Sequence, residues 1–279
     1  MNTRESVEER VASGAASLVA RKTAAVLLAF LPDSPELGPT ELARRTALNK
    51  STTIRILSSL REFGLVSHDP VTGRYRLGLR ILELASALQT HLVLPRIAYP
   101  YMVALRDETG ESVHLTVPDG HEGVYIEKVD SLGRVHLSTR VGARGPLYAG
   151  ASMKVILAHL PEETIQSVIR AHVVPGLNTL TRYTPNTVVS IGELLESLRI
   201  IREQGYAHSE GELNFGFSAV AAPIWKSDGT VAGGLSVVAP SVRFTQEVVR
   251  GLVPKVVRRA QEISMALGWA GDAGEGRPS

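Results

Sequence analysis

Along residues 17–31 the apolar side chains return at helical spacing. Leu18, Ala24, Val26, Leu27 and Phe30 predict a first helix, which Pro32 and Pro35 end. Thr40 is placed to cap a short second helix over 41–45, with Leu42 and Ala43 turned inward. After the turn Thr46-Ala47-Leu48, Asn49 offers an N-cap for a third helix that runs to Phe63 and stops at Gly64. In that helix Ile54, Leu57 and Leu60 form the expected inward stripe, with Ser51, Thr52, Arg55 and Ser59 on the opposite side. Two strand-like runs follow, 65–68 and 74–77, joined by Asp69-Pro70-Val71-Thr72-Gly73. Proline fixes φ and glycine tolerates a positive φ, so this joint reads as a hairpin turn. Helix, helix, turn, helix and hairpin is the order of a winged helix-turn-helix.

The pattern then changes. Residues 78–90 are helical but carry more apolar side chains (Leu79, Ile81, Leu82, Leu84, Leu88) than one face needs. This reads as a linker helix that also joins subunits. From Pro95 onward helices and strands mix. Helices are expected at 97–109, 151–159, 161–172, 191–204 and 245–267, and strands at 112–117, 124–129, 134–140, 217–225 and 231–238. Asp119-Gly120 and Asp228-Gly229 are hairpin signals. Helices at both ends of a run of antiparallel strands indicate an α+β fold. The expected division is a winged helix-turn-helix at 17–78, a linker helix at 79–94, a larger domain at 95–268 and a disordered tail at 269–279, with residues 1–15 frayed.

Charge sharpens this picture. The net charge of the 279 residues is only +2, but residues 39–80 hold eight Lys/Arg against three acids. That is the footprint of a phosphate-binding module beside a near-neutral domain. The chain has no cysteine, which excludes disulfides, thiolate zinc sites and cysteine nucleophiles. The early apolar stretch from Ala24 to Leu31 is too short to span a bilayer, and the acids Glu5, Glu8 and Glu9 do not fit a signal peptide. A cytoplasmic protein without membrane contact is expected.

Enzymatic constellations are missing. The eight histidines (68, 91, 114, 121, 136, 159, 172, 208) show no metal-ligand spacing, although His114 and His136 lie in strand-like runs and can meet across a sheet. No Gly-x-Ser-x-Gly elbow occurs; Gly150-Ala151-Ser152-Met153-Lys154 is not one. Asn49-Lys50-Ser51-Thr52 lacks the preceding glycines of a phosphate-binding loop. No catalytic residue, metal or cofactor is expected. The segment 142–152 has two readings: a plain strand-to-helix connector, or a stretch kept small at Gly145, Ala151 and Ser152 so that helix-start N–H groups approach an anion.

The run Thr40-Glu41-Leu42-Ala43, then Asn49-Lys50-Ser51-Thr52-Thr53-Ile54-Arg55-Ile56-Leu57-Ser58-Ser59-Leu60, Phe63-Gly64-Leu65-Val66 and Tyr75-Arg76-Leu77-Gly78 resembles the DNA-binding half of IclR-type transcriptional regulators. Further on, Gly110-Glu111-Ser112-Val113-His114-Leu115, Val124-Tyr125-Ile126-Glu127-Lys128-Val129, Val141-Gly142, Pro146-Leu147-Tyr148-Ala149, the run from Leu180 to Thr187, Gly205-Tyr206-Ala207, Gly216, Val220-Ala221-Ala222-Pro223-Ile224 and Leu235-Ser236-Val237 keep the family's order. The resemblance spans residues 17–267. Each motif alone is weak; their colinearity over both halves is specific.

The resemblance implies a winged helix-turn-helix, a linker helix and a GAF-like effector domain whose antiparallel sheet is flanked by helices. It implies homodimers, often paired into tetramers, on roughly palindromic double-stranded DNA. Most such proteins repress, and some activate. With the basic hairpin alongside, it turns the polar face of the third helix from an ordinary solvated surface into a reading surface. Arg55 suits a bidentate guanine contact, and Arg44, Lys50, Ser51, Thr52 and Ser59 suit phosphate or mixed contacts. Arg74 and Arg76 in the wing suit the backbone or minor groove.

For the effector site the resemblance implies Leu137, Gly145, Ala151, Ser152, Ser209, Phe217, Ala219, Ser236 and Val238. Members that sense very short acids usually carry an acid where this chain has Ser209, and often a serine where it has Val238. The pocket is therefore expected to be more apolar, suited to an aromatic acid, with a short aliphatic acid as the alternative. A repressor of a catabolic operon, relieved or modulated by such an acid, is the expected function. The competing function is an enzyme of a small metabolite, tethered by its N-terminal domain.

Overall fold

Cap and turn chemistry shape the first part of the chain. The structure, a computed structural model, describes residues 17–31, 33–133, 137 and 139–271. The chain divides into two compact units, residues 1–92 and 93–279.

The first unit contains α1 (Leu18–Leu28), β1 (Glu36–Leu37), α2 (Pro39–Arg45), α3 (Lys50–Glu62), β2 (Val66–His68), β3 (Tyr75–Leu77) and α4 (Arg80–His91). Helix α2 begins one residue before Thr40, because Pro39 takes its first position behind a Gly38 cap. Asn49 caps α3, its side chain accepting the Thr52 N–H at 2.8 Å. The inward face of α3 is Thr53, Ile56, Leu57 and Leu60. Ile54, expected inside, is 42% exposed, and Ile56 takes its place. Val26, Phe30, Leu37, Leu42 and Val66 complete the core. The strands form an antiparallel sheet in the order β1-β3-β2. The two-residue β1 had no signal in the sequence. The wing turn is held by Asp69, whose carboxylate accepts the Val71 N–H and the Thr72 hydroxyl, and by Gly73 at φ 66°. These bonds lower the Asp69 pKa, the Thr72 hydroxyl most.

The second unit contains α5 (Val93–Thr109), β4 (Ser112–Asp119), β5 (Glu122–Val129), β6 (Arg144–Pro146), α6 (Ala151–Ala158), α7 (Glu162–His172), α8 (Ile191–Gln204), β7 (Ala207–Glu210), β8 (Phe217–Trp225), β9 (Val231–Pro240) and α9 (Gln246–Ala266). One antiparallel sheet runs β6-β5-β4-β9-β8-β7. This is the expected α+β plan with helices on both faces. Alternation along the central strands sorts the side chains. Val113, Leu115, Val220, Ala222, Ile224, Leu235 and Val237 pack with α5 and α9 residues such as Met102, Leu105, Val256 and Ile263. The opposite face lies under α6, which packs in a second core with residues of α7 and α8 such as Ile165, Val168, Leu194 and Leu198. Gly234 of β9 permits this seating: a Cβ there would stand 2.9 Å from the Ser152 carbonyl oxygen.

Several expectations shift. Helix α5 starts at Val93 and takes Pro95 into its first turn. Strands β6 and β7 were not foreseen. The strand expected over 134–140 falls largely outside the described residues, and Leu137, Thr139 and Arg140 belong to no strand. Residues 1–16 and 272–279 also lie outside them. Trp269, placed in the tail, stacks on Trp225 with centroids 6.2 Å apart.

The exit from the wing depends on a close backbone approach. The Gly78 N–H donates to the Leu65 carbonyl at 2.9 Å, and a Cβ at Gly78 would collide with the Gly64 carbonyl oxygen. Gly78→Ala should destabilise the first unit by about 2 kcal/mol or more, a strain no side-chain rotamer relieves. Chemical denaturation followed by far-UV circular dichroism checks this; an unchanged midpoint would show that the backbone gives way freely.

Candidate DNA-binding surface and effector cavity

The N-cap and inward stripe of α3 fix which side chains point away from the core. Lys50, Ser51, Arg55 and Ser59 are exposed and Thr52 half-exposed on one outer surface, with exposed Arg44 on α2. Arg44, Lys50 and Arg55 have no hydrogen-bond or ion-pair partner among the described residues. Their charge is free to meet phosphate or a base edge. Ser51 is partly committed, its hydroxyl donating to Asn49 Oδ1 at 2.9 Å. Arg45 serves the fold: it bonds Glu41 at 2.8 Å, Ser34 at 3.0 Å and the Ala29 carbonyl at 3.4 Å.

The wing arginines differ from those of α3. Arg74 donates to the Glu36 carbonyl at 2.8 Å, and Arg76 donates to Ser67 Oγ at 3.1 Å with the Glu36 carboxylate 3.7 Å away. Both remain exposed. Such surface contacts are worth about 0–1 kcal/mol, so a phosphate can compete for either guanidinium.

In the second unit, eight of the nine residues expected at an effector site line one cavity: Leu137, Ala151, Ser152, Ser209, Phe217, Ala219, Ser236 and Val238. Register brings the strand members together, since Ala219 pairs with both Ser209 and Val238. Gly145 stands outside the lining. Its α-carbon faces Leu213, whose side chain would lie 3.1 Å from an added Cβ. The cavity is about 40 Å³, small beside the roughly 300–1,000 Å³ of pockets that hold drug-sized ligands.

Tyr125, Glu212, Leu213 and Asn214 also line the cavity and were not anticipated. Glu212 matters most. Its carboxylate accepts the Gly150 N–H at 3.2 Å and a bond from Lys154 Nζ at 2.5 Å, with both side chains buried. The start of α6, which one of the two sequence readings gave to an external anion, already holds an internal one. Lys154 was the available signal, a lone cation in an otherwise uncharged helix; its partner lies 58 residues away. Removing either member would strand a buried charge, at a cost of about 3–5 kcal/mol. The Glu212 segment is strapped from outside: Thr184 Oγ1 donates to the Gly211 carbonyl at 2.6 Å and Thr187 Oγ1 to the Glu212 carbonyl at 2.7 Å.

Polar groups also sit deep on the cavity face. Thr116 Oγ1 donates to Ser152 Oγ at 3.2 Å. Burial raises the Tyr125 pKa, opposed by the Ser152 hydroxyl beside it. Burial pushes His114 down to about 4 against the attraction of Asp130, so the imidazole is neutral near pH 7. His136, the possible partner of His114 across a sheet, lies outside the described residues. No group of three or more His, Asp or Glu among the described residues is arranged to hold a metal.

A helix-turn-helix with free cations and a separate cavity-bearing domain can be compared with known proteins. The profile of the bacterial transcriptional regulator IclR C-terminal domain matches residues 86–265, and that of the IclR helix-turn-helix domain matches residues 19–70. The chain belongs to the IclR family. As a family member it is a DNA-binding transcriptional regulator, with α2 and α3 inside the matched helix-turn-helix. It is 35% identical over 248 residues to the HTH-type transcriptional regulator KipR of Bacillus subtilis strain 168, covering 89% of this chain and 96% of that one. It is 32% identical over 243 residues to the regulator KdgR of Escherichia coli K12, covering 87% and 90%. Among solved structures, an IclR homologue from Microbacterium hydrocarbonoxydans in complex with 4-hydroxybenzoate superposes with a TM-score of 0.75 at 27% identity, covering 89% of this chain and 98% of that one. KipR and KdgR are named as transcriptional regulators. Among the described residues, no helix is long and apolar enough to cross a membrane.

Proposed function

We propose that this IclR-family regulator represses a catabolic operon in the cytoplasm, and that a small organic acid, an aromatic one in first place, relieves or modulates the repression. The observation that carries the effector reading is the cavity under α6, with apolar walls at Leu137, Leu213, Phe217, Ala219 and Val238 and hydroxyls at Ser152, Ser209, Ser236 and Tyr125. Apolar walls interspersed with polar groups, among them Asn214 and the Lys154-paired Glu212 carboxylate, suit a ring with polar substituents better than a two- or three-carbon acid. The Microbacterium relative with 4-hydroxybenzoate supports the same chemistry. The acid's carboxylate meets the N–H groups of Ala151 and Ser152, which the first turn of a helix leaves unpaired. The ring needs more room than the cavity has, so Leu213 and Asn214 swing outward on binding. That movement gives the ligand different affinities for two arrangements of the protein, without which it would shift nothing. The acid leaves unchanged, without cofactor, metal or catalytic residue.

Calorimetric titration tests this reading. Benzoate should bind the wild-type protein and raise its melting temperature, pyruvate should bind far more weakly, and Ala219→Trp should abolish the benzoate heat by filling the recess. Absence of heat and of stabilisation with aromatic acids, or aromatic binding untouched by Ala219→Trp, would refute it.

On the DNA side, Arg55 is proposed to read a base edge, with Arg44, Lys50, Ser51, Thr52 and Ser59 around it and Arg74 and Arg76 holding the sugar-phosphate backbone. Arg55→Ala should cost about 1–3 kcal/mol on the operator and relax preference at one base pair. Arg76→Ala should weaken operator and unrelated duplex alike. Mobility shifts on both DNAs decide; equal losses from Arg55→Ala on the two would place it on phosphate.

Helix α4 supports self-association on a roughly palindromic operator. None of its residues 80–90 is buried, and Leu82 and Leu88 are 65% and 61% exposed. A second copy of α4 is the proposed cover, giving a dimer or a dimer of dimers. Sedimentation should show at least a dimer for the wild type and a monomer for the Leu84→Glu, Leu88→Glu double variant. A monomeric wild type, alone and on DNA, would disprove this.

A further inference from the structure

The sheet face toward α6 holds three polar atoms that the fold leaves unserved, one on Ser236 in the cavity lining and two on His114 beside it, outside that lining. His114 Nδ1, His114 Nε2 and Ser236 Oγ are buried without a hydrogen-bond partner among the described residues. His114 is 1% exposed and Ser236 fully buried. A buried donor or acceptor without a partner costs about 1–3 kcal/mol, so three in one place call for an explanation. The sheet puts them side by side, because His114 of β4 is the register partner of Ser236 of β9. Both alternate onto the side facing α6, away from Val113, Leu115, Leu235 and Val237. Ser236 lines the cavity, as does Tyr125, whose ring meets the His114 ring edge-on with centroids 5.5 Å apart.

We propose that His114 and Ser236 form a second polar subsite of the effector cavity, which receives a neutral hydroxyl at the end of the effector remote from its carboxylate. This rests on the organic-acid reading above and adds the chemistry of the ligand's other end. A neutral imidazole presents one N–H donor and one lone-pair acceptor, and a serine hydroxyl can do either. A hydroxyl is the ligand group that donates to one and accepts from the other. A second carboxylate is disfavoured, since its charge would be buried against two neutral groups. An unsubstituted ring leaves all three atoms as they are.

The spacing suits one ring. Thr116 touches Ser152 at the start of α6, where the carboxylate is placed. His114 lies two residues back along β4, roughly 6–7 Å at the usual strand rise. That is the span of a benzene ring bearing a group at each end. The subsite therefore favours a para-hydroxylated aromatic acid over the parent acid. Specificity built from unmet polar groups is stronger than specificity built from apolar fit, because the wrong ligand leaves those groups unpaired.

Titration of the full-length protein with benzoate and 4-hydroxybenzoate tests the subsite, since the two acids differ only in the distal hydroxyl. Wild type should bind 4-hydroxybenzoate about tenfold tighter or more. His114→Leu should bring the ratio close to one, and Ser236→Ala should reduce it in part. His114→Gln, which keeps a donor and an acceptor, should retain part of the preference. His114→Leu should also melt no lower than wild type without ligand, because it removes two unpaired atoms. Equal wild-type affinities for the two acids, or a preference that survives His114→Leu, would overturn the subsite while the aromatic reading stands. Binding of neither acid would overturn both.

Discussion

The structure depends on the alternation of β4, β8 and β9. One set of their side chains, including Leu115, Leu235, Val237 and Ile224, builds a dry core with α5 and α9. The other set, including Thr116, Ala219, Ala221 and Ser236, is mostly small or polar. Such a face lets α6 come close, and its apolar side chains pack there on Ala207 and Ala221. Gly234 lets the Ser152 carbonyl come near, and the buried Lys154–Glu212 pair ties the start of the helix to the strap loop. A slip of one residue in any of these strands would exchange the two faces, filling the recess with leucine and valine and putting serine and histidine into the core.

The small unit separates two kinds of cation. Arg45 is spent on the fold, bonded to Glu41, Ser34 and the Ala29 carbonyl. Arg44, Lys50 and Arg55, close to it in sequence, keep their charge outward. Sequence counting registers all four alike. Only the backbone shows which of them the protein has used, and the distinction decides which substitutions damage the domain and which leave it intact.

Much of the fold was legible because its signals are local. Asn49 as a cap, Gly64 and Gly73 at positive φ, the short apolar run of β8 and the 3.6 period of α8 each act within a few residues. The phase of α3 was misjudged because Ile54 and Ile56 are equally apolar and both fit a stripe containing Leu57 and Leu60; packing against Leu42 and Val66 chose Ile56. Strands β1 and β6, two and three residues long, are too short to show a period. Thr40 gave way to Pro39 because proline already has the φ of a first helical residue. The cavity lining followed from the family resemblance, residue by residue. Its deeper chemistry did not: Glu212 meets Lys154, and His114 meets Ser236, across long stretches of chain that no spacing rule connects.

The burial of Lys154 and Glu212 has a consequence for ionic strength. Mobile ions screen charges over about 8–10 Å in ordinary buffers, but only where they can reach. The free cations of α2 and α3 lie in that reach, and so do surface pairs such as Arg80–Glu83. The pair under α6 lies beyond it. Raising the concentration of a simple salt weakens the attraction of this protein for a phosphate backbone while the start of α6 stays held, so the two halves of the molecule answer to different properties of the solution.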